Sequence, residues 1–220
     1  MTTAPGLRER KKQRTREHIA ATARRLFAEH GFDRVTVAEI AREAEVAEKT
    51  VFNYFPAKED LFYSRLESFE DELLGAIRER APGKTVVDAF EAFLLARRGV
   101  LAPRPDGEQG SALEELRTVT RVITESPALL AREQRIFEGY TASLATLLAE
   151  ETSARPDDVE PHVVANALIG VHRTLIDYVR RRTLAGEDDL DRLARDLRTQ
   201  TRRGFRRLRA GLGSYGKRAR

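Results

Sequence analysis

Residues 36–58, TVAEIAREAEVAEKTVFNYFPAK, predict two short helices joined by a tight turn. Thr36 and Glu39 have the spacing of a capping box, in which a hydroxyl and a carboxylate each bond a free backbone N–H group at a helix start. The first helix therefore begins at Val37. Its apolar residues recur at the spacing of one buried helical face, and they are Val37, Ile40, Ala41 and Ala44.

The second helix begins at Glu48 and ends before Pro56, because proline has no N–H group with which to continue a helix. Val51 and Phe55 face inward. The outward face carries the kinds of side chain that bond base edges and phosphates in a DNA major groove. These side chains belong to Lys49, Thr50, Asn53 and Tyr54. The segment predicts a DNA-binding helix-turn-helix, and the alternative of a helical hairpin with a solvated polar face stays open.

Residues 50–58, TVFNYFPAK, preceded by IAREA at 40–44, resemble the DNA-binding segment of the TetR (tetracycline repressor-type) family of transcriptional regulators. The resemblance implies a role for each matching position. Bases or nearby sugars would be met by Lys49, Thr50 and Asn53. Phosphates would be met by Thr36, Tyr54 and Lys58. Phe52 stands where the family often has tyrosine, which implies an apolar contact with a thymine methyl group, and Glu48 completes the set of DNA-binding positions.

Two residues of the turn depart from the family pattern. Glu45 stands where many members have glycine, so we expect a left-handed backbone conformation that costs on the order of 1 kcal/mol. Ala47 stands where serine often caps the second helix, which forgoes roughly 1 kcal/mol of capping. Neither departure removes the motif.

The composition indicates a globular protein, since 41% of the 220 residues are hydrophobic and 34% are charged. The chain contains no cysteine, which excludes disulfides, thiol nucleophiles and zinc ribbons. No apolar run approaches the roughly 18 residues that span a bilayer, so we predict a cytoplasmic protein without a membrane partner. The net charge is +4 over residues 1–58, −9 over 59–192 and +9 over 193–220. A basic N-terminal segment before an acidic one fits a protein that meets nucleic acid at one end.

No enzyme activity, cofactor or metal site is predicted. The sequence has no glycine-rich phosphate loop and no nucleophile motif. The four histidines are scattered without ligand spacing, at His18, His30, His162 and His172.

The sequence predicts an all-α fold with three parts. Residues 1–57 contain an N-terminal arm, over residues 1–16, and a three-helix DNA-binding domain whose first helix ends before Gly31. Residues 58–212 form a helical domain for ligand binding and dimerisation. Residues 213–220 form a basic tail.

Within the second domain, a long amphipathic helix runs from Lys58 to about Arg80 and links the two domains. A loop is predicted over residues 102–110, where two prolines and two glycines occur. Later helix starts are predicted at polar residues, namely Ser111, Ser126, Asp157 and Asp188 or Asp189.

The last two helices are predicted to form the dimer surface, because neither is needed to close a bundle of the preceding four. Small residues along them would let two backbones approach closely, and these are Ala165, Ala167, Gly170 and Ala194. In the resembled family such a pair forms a four-helix bundle across a two-fold axis. The alternative, that both helices complete a monomeric core, stays open.

A small-molecule site is predicted in the second domain, because its helices carry more large apolar surface than they need, with sparse polar anchors. The candidate residues are Phe62, Leu66, Phe69, Phe90, Phe93, Leu116, Arg117, Arg121, Phe137, Tyr140, Leu144 and His172. The helix from Lys58 would be the only covalent connection through which this site could act on the DNA-binding domain.

Together these features predict a ligand-responsive transcriptional regulator, a repressor that acts as a homodimer on palindromic double-stranded DNA. Its small-molecule inducer or corepressor is not identified by the sequence. The alternative is an all-helical protein-interaction module that does not bind DNA specifically.

Overall fold

The computed structural model of the chain describes residues 6–96 and 109–212. Over these ranges the chain forms ten α-helices, one turn of 3-10 helix and no β-strand, which confirms the all-α prediction. The helices are α1 (Leu7–His30), α2 (Val37–Glu43), α3 (Glu48–Tyr54), α4 (Lys58–Tyr63), α5 (Glu67–Arg78), α6 (Val86–Ala96), α7 (Gln109–Glu125), α8 (Pro127–Thr152), α9 (Glu160–Leu184) and α10 (Leu190–Leu212). The 3-10 turn, Ser64–Leu66, separates α4 from α5. None of the helices in these ranges is long and apolar enough to cross a membrane.

The chain divides into two compact units. The head unit consists of Met1–Glu67 and Val122–Arg132, and the body unit consists of Ser68–Arg121 and Glu133–Arg220. The chain therefore passes between the units three times, and α7 and α8 each contribute residues to both. The linking helix predicted from the sequence is thus not the only covalent connection. The functional boundary predicted after residue 57 stays a prediction.

Helix α1 is longer than the sequence predicts. The arm predicted over residues 1–16 is wrong for residues 7–16, which form the first turns of α1, and residues 1–5 lie outside the described ranges. Those turns are rich in arginine and lysine, which favour helix, and Gln13 donates a hydrogen bond of 2.8 Å to Glu17 one turn later. The helix ends as predicted at Gly31, whose φ of 81° suits glycine.

The core of the head unit is made by apolar side chains from all of its helices. Its fully buried members include Ile19, Phe27, Ile40, Val51, Phe55, Leu61 and Leu129. The Phe27 and Phe32 rings lie 4.9 Å apart, and Phe62 lies 6.1 Å from Phe27. Phe62 is therefore packed in the head unit, whereas the other candidate ligand-binding aromatic residues belong to the body unit.

The long helix predicted from Lys58 to about Arg80 is wrong, because the 3-10 turn interrupts it. The Ser64 hydroxyl donates a hydrogen bond of 3.0 Å to the carbonyl oxygen of Leu61. The same hydroxyl accepts one of 3.1 Å from the guanidinium of Arg24 on α1. Serine side chains that bond the backbone in this way compete with the regular helical pattern.

The core of the body unit is built by α5, α6, α8, α9 and α10. Phe205 of α10 packs against Phe90 of α6, with ring centroids 5.9 Å apart and an interplanar angle of 31°. Leu168 of α9 and Leu193 of α10 are fully buried. The prediction that the last two helices are not needed to close the core is therefore wrong, since both bury large apolar side chains within one chain.

Two of the predicted helix starts are confirmed by their caps. The Ser126 hydroxyl accepts from the Leu129 N–H at the start of α8, which has proline at its first position. The Asp189 carboxylate accepts a bond of 2.8 Å from the Arg192 N–H at the start of α10.

The other two starts are displaced. Helix α7 already includes Gln109, so the predicted cap at Ser111 lies inside the helix, and most of the predicted loop 102–110 lies outside the described ranges. Helix α9 begins at Glu160 and not at Asp157. The carboxylate of Asp158 accepts a hydrogen bond from the Glu160 N–H group at this helix start. The predicted basic tail 213–220 also lies outside the described ranges.

Candidate nucleic-acid interface

The helix-turn-helix starts from the capping box on α2. The Thr36 hydroxyl accepts from the Glu39 N–H at 3.2 Å, and the Glu39 carboxylate accepts from the Thr36 N–H at 2.7 Å. The backbone N–H of Thr36, and then its hydroxyl, lower the pKa of Glu39. The negative charge held there also suits the positive end of the α2 dipole. The predicted capping box is confirmed.

The turn between α2 and α3 has both of the expected departures. Glu45 adopts a φ of 53°, in the left-handed region that usually calls for glycine. Its N–H group bonds the Arg42 carbonyl at 3.1 Å, and the Val46 N–H bonds the Ala41 carbonyl at 2.9 Å, so α2 is closed at its C-terminus. Ala47 precedes α3 and provides no side-chain cap.

Helix α3 is held by two buried residues, Val51 and Phe55, each only 1% exposed. The guanidinium of Arg16 lies 4.7 Å from the centre of the Phe55 ring. These contacts fix the rotation of a helix that is too short to be stable alone.

The opposite side of α3 faces solvent. Lys49, Phe52 and Asn53 share one face, because they are spaced i, i+3 and i+4. Phe52 is 48% exposed, which is high for a phenylalanine. The structure brings together on this helix the candidate residues Glu48, Lys49, Thr50, Phe52, Asn53 and Tyr54, of which Thr50 and Tyr54 are half-buried. An amide, an ammonium group and an aromatic ring within about one turn can address donors, acceptors and methyl groups of base pairs.

Lys58 is more constrained than the sequence suggests. Its Nζ donates hydrogen bonds to the carbonyl oxygens of Phe32 at 3.0 Å and Val35 at 2.9 Å. The same atom lies 4.2 Å from the centre of the Phe32 ring. Since an ammonium group has three donors, one remains for another acceptor. Its predicted phosphate contact stays a prediction, as does that of the exposed Thr36.

The corner between α7 and α8 is a part of the head unit that sequence reasoning missed. The Ser126 hydroxyl donates to Asp33, and Tyr63 donates to the Leu129 carbonyl oxygen at 3.1 Å. The guanidinium of Arg132 forms a 2.7 Å ion pair with Asp60. These partners are far apart in sequence, so no local pattern signals them.

The candidate ligand-binding residues fall into several places. Five of them form an aromatic cluster in the body unit, namely Phe69, Phe93, Phe137, Tyr140 and His172. The rings of Phe69 and His172 stack at 4.9 Å with an interplanar angle of 9°. Phe90 and Leu144 are fully buried in the same core, and Leu116 is 9% exposed. Their ligand-binding role stays a prediction.

The remaining candidates lie elsewhere. Leu66 belongs to the head unit and is 36% exposed. Arg121 is exposed at the end of the first stretch of the body unit. Arg117 donates a hydrogen bond of 2.6 Å to the Glu187 carbonyl oxygen. Across the residues that the structure describes, no three histidine, aspartate or glutamate side chains are grouped to bind a metal ion.

A helix-turn-helix whose second helix presents polar side chains, carried on an all-α body, is the architecture of a DNA-binding regulator. Comparison with known proteins gives the family. Residues 19–64 match the model of bacterial regulatory proteins of the tetR family, and residues 97–213 match the MftR C-terminal domain. The chain belongs to the tetR family of bacterial regulatory proteins. It is a sequence-specific, DNA-binding transcriptional regulator.

Two relatives illustrate the match. The HTH-type transcriptional regulator TcmR of Streptomyces glaucescens is 31% identical over 192 residues, which cover 86% of this chain and 82% of TcmR. The putative mycofactocin biosynthesis transcriptional regulator MftR of Mycobacterium tuberculosis is 28% identical over 162 residues, covering 74% of this chain and 78% of MftR. Both relatives are described as transcriptional regulators.

Solved structures share the fold. NalD, the secondary repressor of the MexAB-OprM multidrug efflux pump in Pseudomonas aeruginosa, superposes with a TM-score of 0.55 at 19% identity, over 88% of this chain and 96% of NalD. GusR of Salmonella enterica superposes with a TM-score of 0.53 at 20% identity, over 90% and 95% of the two chains. At these identities the likeness concerns the fold alone.

Proposed function

We propose that this regulator is a cytoplasmic repressor, which binds a palindromic operator as a homodimer and is released by a small molecule. The observation that carries the proposal is the pair of faces on α3. Val51 and Phe55 bury one face, and the other presents Lys49, Phe52 and Asn53 to solvent. A seven-residue helix is about 10 Å long, which suits the width of the major groove.

Each exposed group has a chemical role in the proposed complex. The Asn53 amide pairs with adenine, and Lys49 donates to guanine or a nearby phosphate. The Phe52 ring packs on a thymine methyl group. Thr50 and Glu48 complete the contacts near the start of α3. Thr36, Tyr54 and Lys58 donate to the flanking phosphates, which fix the register of the helix but carry no sequence information.

The proposed dimer uses the outer faces of α9 and α10. Val163 on α9 and Val159 immediately before it are 57% and 70% exposed, and neighbouring apolar side chains left in water mark an interaction surface. The small half-buried residues Ala167 and Gly170 continue the face toward the middle of α9. Two heads related by a two-fold axis would meet successive major grooves, roughly 34 Å apart.

The proposed ligand response places the effector in the domain formed by residues 58–212. A ligand releases DNA only through different affinities for two conformations, and factors of about 5 to 150 correspond to roughly 1 to 3 kcal/mol. The three passages of the chain between the head and body units are the covalent routes along which such a change would be passed.

The test is fluorescence anisotropy with the DNA upstream of the regulator's own gene, measured against a scrambled duplex over a series of salt concentrations. We expect preferential binding to one near-palindrome and a fall in affinity with salt, because phosphate contacts release counterions. Equal and weak binding to both duplexes, with no salt dependence, would support the protein-interaction alternative.

A further inference from the structure

An open groove runs between α6 and α10 in the body unit, with a cavity volume of about 860 Å³. We call it the α6–α10 groove. Its walls are formed by the end of α5, the connection to α6, one face of α6 and one face of α10. The volume lies within the range of about 300 to 1,000 Å³ that is usual for small-molecule sites.

The apolar part of the groove is lined by small side chains. Ala89, Ala92 and Ala96 follow one another along α6 at the spacing of a single helical face, and Ala76 lies opposite at the end of α5. Because alanine fills little space, these positions leave the cavity open. Phe93 and Leu95 extend the apolar surface. An apolar molecule a few carbon atoms wide would therefore find contact along the floor of the groove.

Two of the five cations that line the groove are already neutralised. The guanidinium of Arg80 forms a 2.6 Å ion pair with Glu151. Arg209 pairs with Asp88 at 3.1 Å and with Glu91. These pairs are built into the walls, and they leave both acidic side chains of the groove occupied.

The other three cations, Lys84, Arg202 and Arg206, have no acidic partner within 4.0 Å among the residues that the structure describes. Arg202 and Arg206 lie four residues apart on α10, so their side chains project from the same face. Two adjacent guanidinium groups repel each other, and a shared anion would relieve that repulsion. Guanidinium groups also bind carboxylates through paired hydrogen bonds.

We propose that the α6–α10 groove binds an amphipathic monocarboxylate, with its carboxylate between Arg202 and Arg206 and its apolar chain or ring along the alanine face of α6. Lys84 adds positive charge at the other end of the groove. This inference names the chemical class of effector and rests on the ligand response proposed above. It places the effector along the groove and not within the aromatic cluster, with which the groove lining shares Phe93.

Decanoate is the probe, and isothermal titration calorimetry on the full chain is the measurement. We expect one decanoate per chain, and binding about tenfold or more weaker for 1-decanol, which lacks the charge, and for acetate, which lacks the apolar chain. Replacing both arginines, Arg202→Ala with Arg206→Ala, should weaken the binding of decanoate by a similar factor. The matched control is Arg203→Ala with Arg207→Ala, which removes the same charge from exposed positions of α10 outside the groove.

A second pair of variants tests the apolar floor without changing charge. Ala92→Phe fills the groove from an exposed position and should reduce decanoate binding, whereas Ala142→Phe adds the same ring to an exposed position on α8 and should not. The proposal is overturned if the wild type does not bind decanoate, or if 1-decanol binds as tightly as decanoate. It is also overturned if each groove variant binds decanoate as its control does.

Operator binding in the presence of decanoate separates this inference from the proposed function. If decanoate binds in the groove and weakens operator binding, both are supported. If it binds there and operator binding is unchanged, the site stands and the ligand response through it is refuted.

Discussion

Ser126 and Asp33 are joined by a hydrogen bond of 2.7 Å, in which the serine hydroxyl donates to the carboxylate. The same hydroxyl accepts from the Leu129 N–H and so caps α8. Ser126 is only 2% exposed. One buried hydroxyl thus connects two chain segments: it caps the first turn of α8, and it bonds the loop that leads into the helix-turn-helix.

The first prediction follows from that double role. Ser126→Ala should lower the free energy of unfolding by about 1 to 3 kcal/mol, because it removes a cap and leaves a carboxylate without its donor. Asp33→Ala, which removes only the bond between the two residues, should cost about 1 kcal/mol. Urea unfolding of both variants gives the comparison, with the exposed Ser111→Ala as control. Equal losses for the two variants would show that the cap contributes nothing.

A second prediction concerns Asn53. Asn53→Ala should cost about 1 to 3 kcal/mol on the operator and much less on a scrambled duplex, because a base contact is lost only where the base is present. Anisotropy titrations on both duplexes provide the measurement. Gln134→Ala, which removes an exposed amide from α8 in the body unit, is the control. A uniform loss on both duplexes would mean that Asn53 contacts backbone.

Lys58 should behave differently from Asn53. Its ammonium group donates hydrogen bonds to the carbonyl oxygens of Phe32 and Val35, so Lys58→Ala should lower the free energy of unfolding by about 1 to 3 kcal/mol. It should also weaken the operator and the scrambled duplex alike. Arg203→Ala, which removes an exposed cation from α10 in the body unit, should change neither quantity. Full stability in Lys58→Ala would contradict the structural role.

The dimer surface gives a fourth prediction. Charged substitutions at Leu168 or Leu193 would unfold the body, since both are fully buried within one chain. Val163→Asp places the charge on the outer face of α9 instead, and should yield a folded monomer with weakened operator binding. Sedimentation velocity measures the change, and Leu130→Asp controls for loss of an exposed apolar residue in α8. A dimeric Val163→Asp would refute the assigned surface.

Glu187, in the loop between α9 and α10, should make the free energy of unfolding depend on pH. Bonds from Arg192, opposed by burial and supported by the Asp189 N–H and by Arg182, lower the pKa of Glu187 from 4.5 to about 2. A carboxylate with a lowered pKa in the folded state stabilises it above the unfolded pKa, and that contribution is lost as the pH falls toward the folded value. We therefore expect it to be complete above about pH 5 and to disappear between about pH 4.5 and 2.

Unfolding of Glu187→Gln across that range provides the measurement. The variant should be less stable than the wild type at pH 6, and the difference should shrink as the pH falls. Exposed Glu150→Gln should follow the wild type throughout. A difference that is constant with pH would assign the effect of the substitution to packing and not to charge.

Local patterns account for what the sequence predicts correctly. The capping box at Thr36, the buried positions Val51 and Phe55, and the stop at Pro56 each depend on residues within one or two turns. The left-handed conformation of Glu45 follows instead from the family resemblance, since many members have glycine at that position. The capping box, the buried positions and the stop at Pro56 involve residues close in sequence, so a single chain without relatives reveals them.

Several features that the sequence did not reveal depend on partners distant in the chain. Ser64, at the interruption of the predicted long helix, accepts a hydrogen bond from Arg24, forty residues earlier. Val122–Arg132 joins the head unit through contacts with residues about 65 to 95 positions away. The interactions of Lys58 with two carbonyl groups are likewise invisible in a pattern that records only a lysine after a proline. Periodicity describes one helix face at a time and says nothing about which face of another element will cover it.

The two separate stretches of the head unit have a consequence for synthesis on the ribosome. A nascent chain grows from its N-terminus, and domains generally fold as they emerge. Here Ser126, Leu129 and Arg132, which bond the N-terminal stretch, are made only after Ser68–Arg121, the first stretch of the body unit, has been translated. A prematurely terminated product that stops before Val122 lacks those partners, so truncated chains should make poor competitors for the operator.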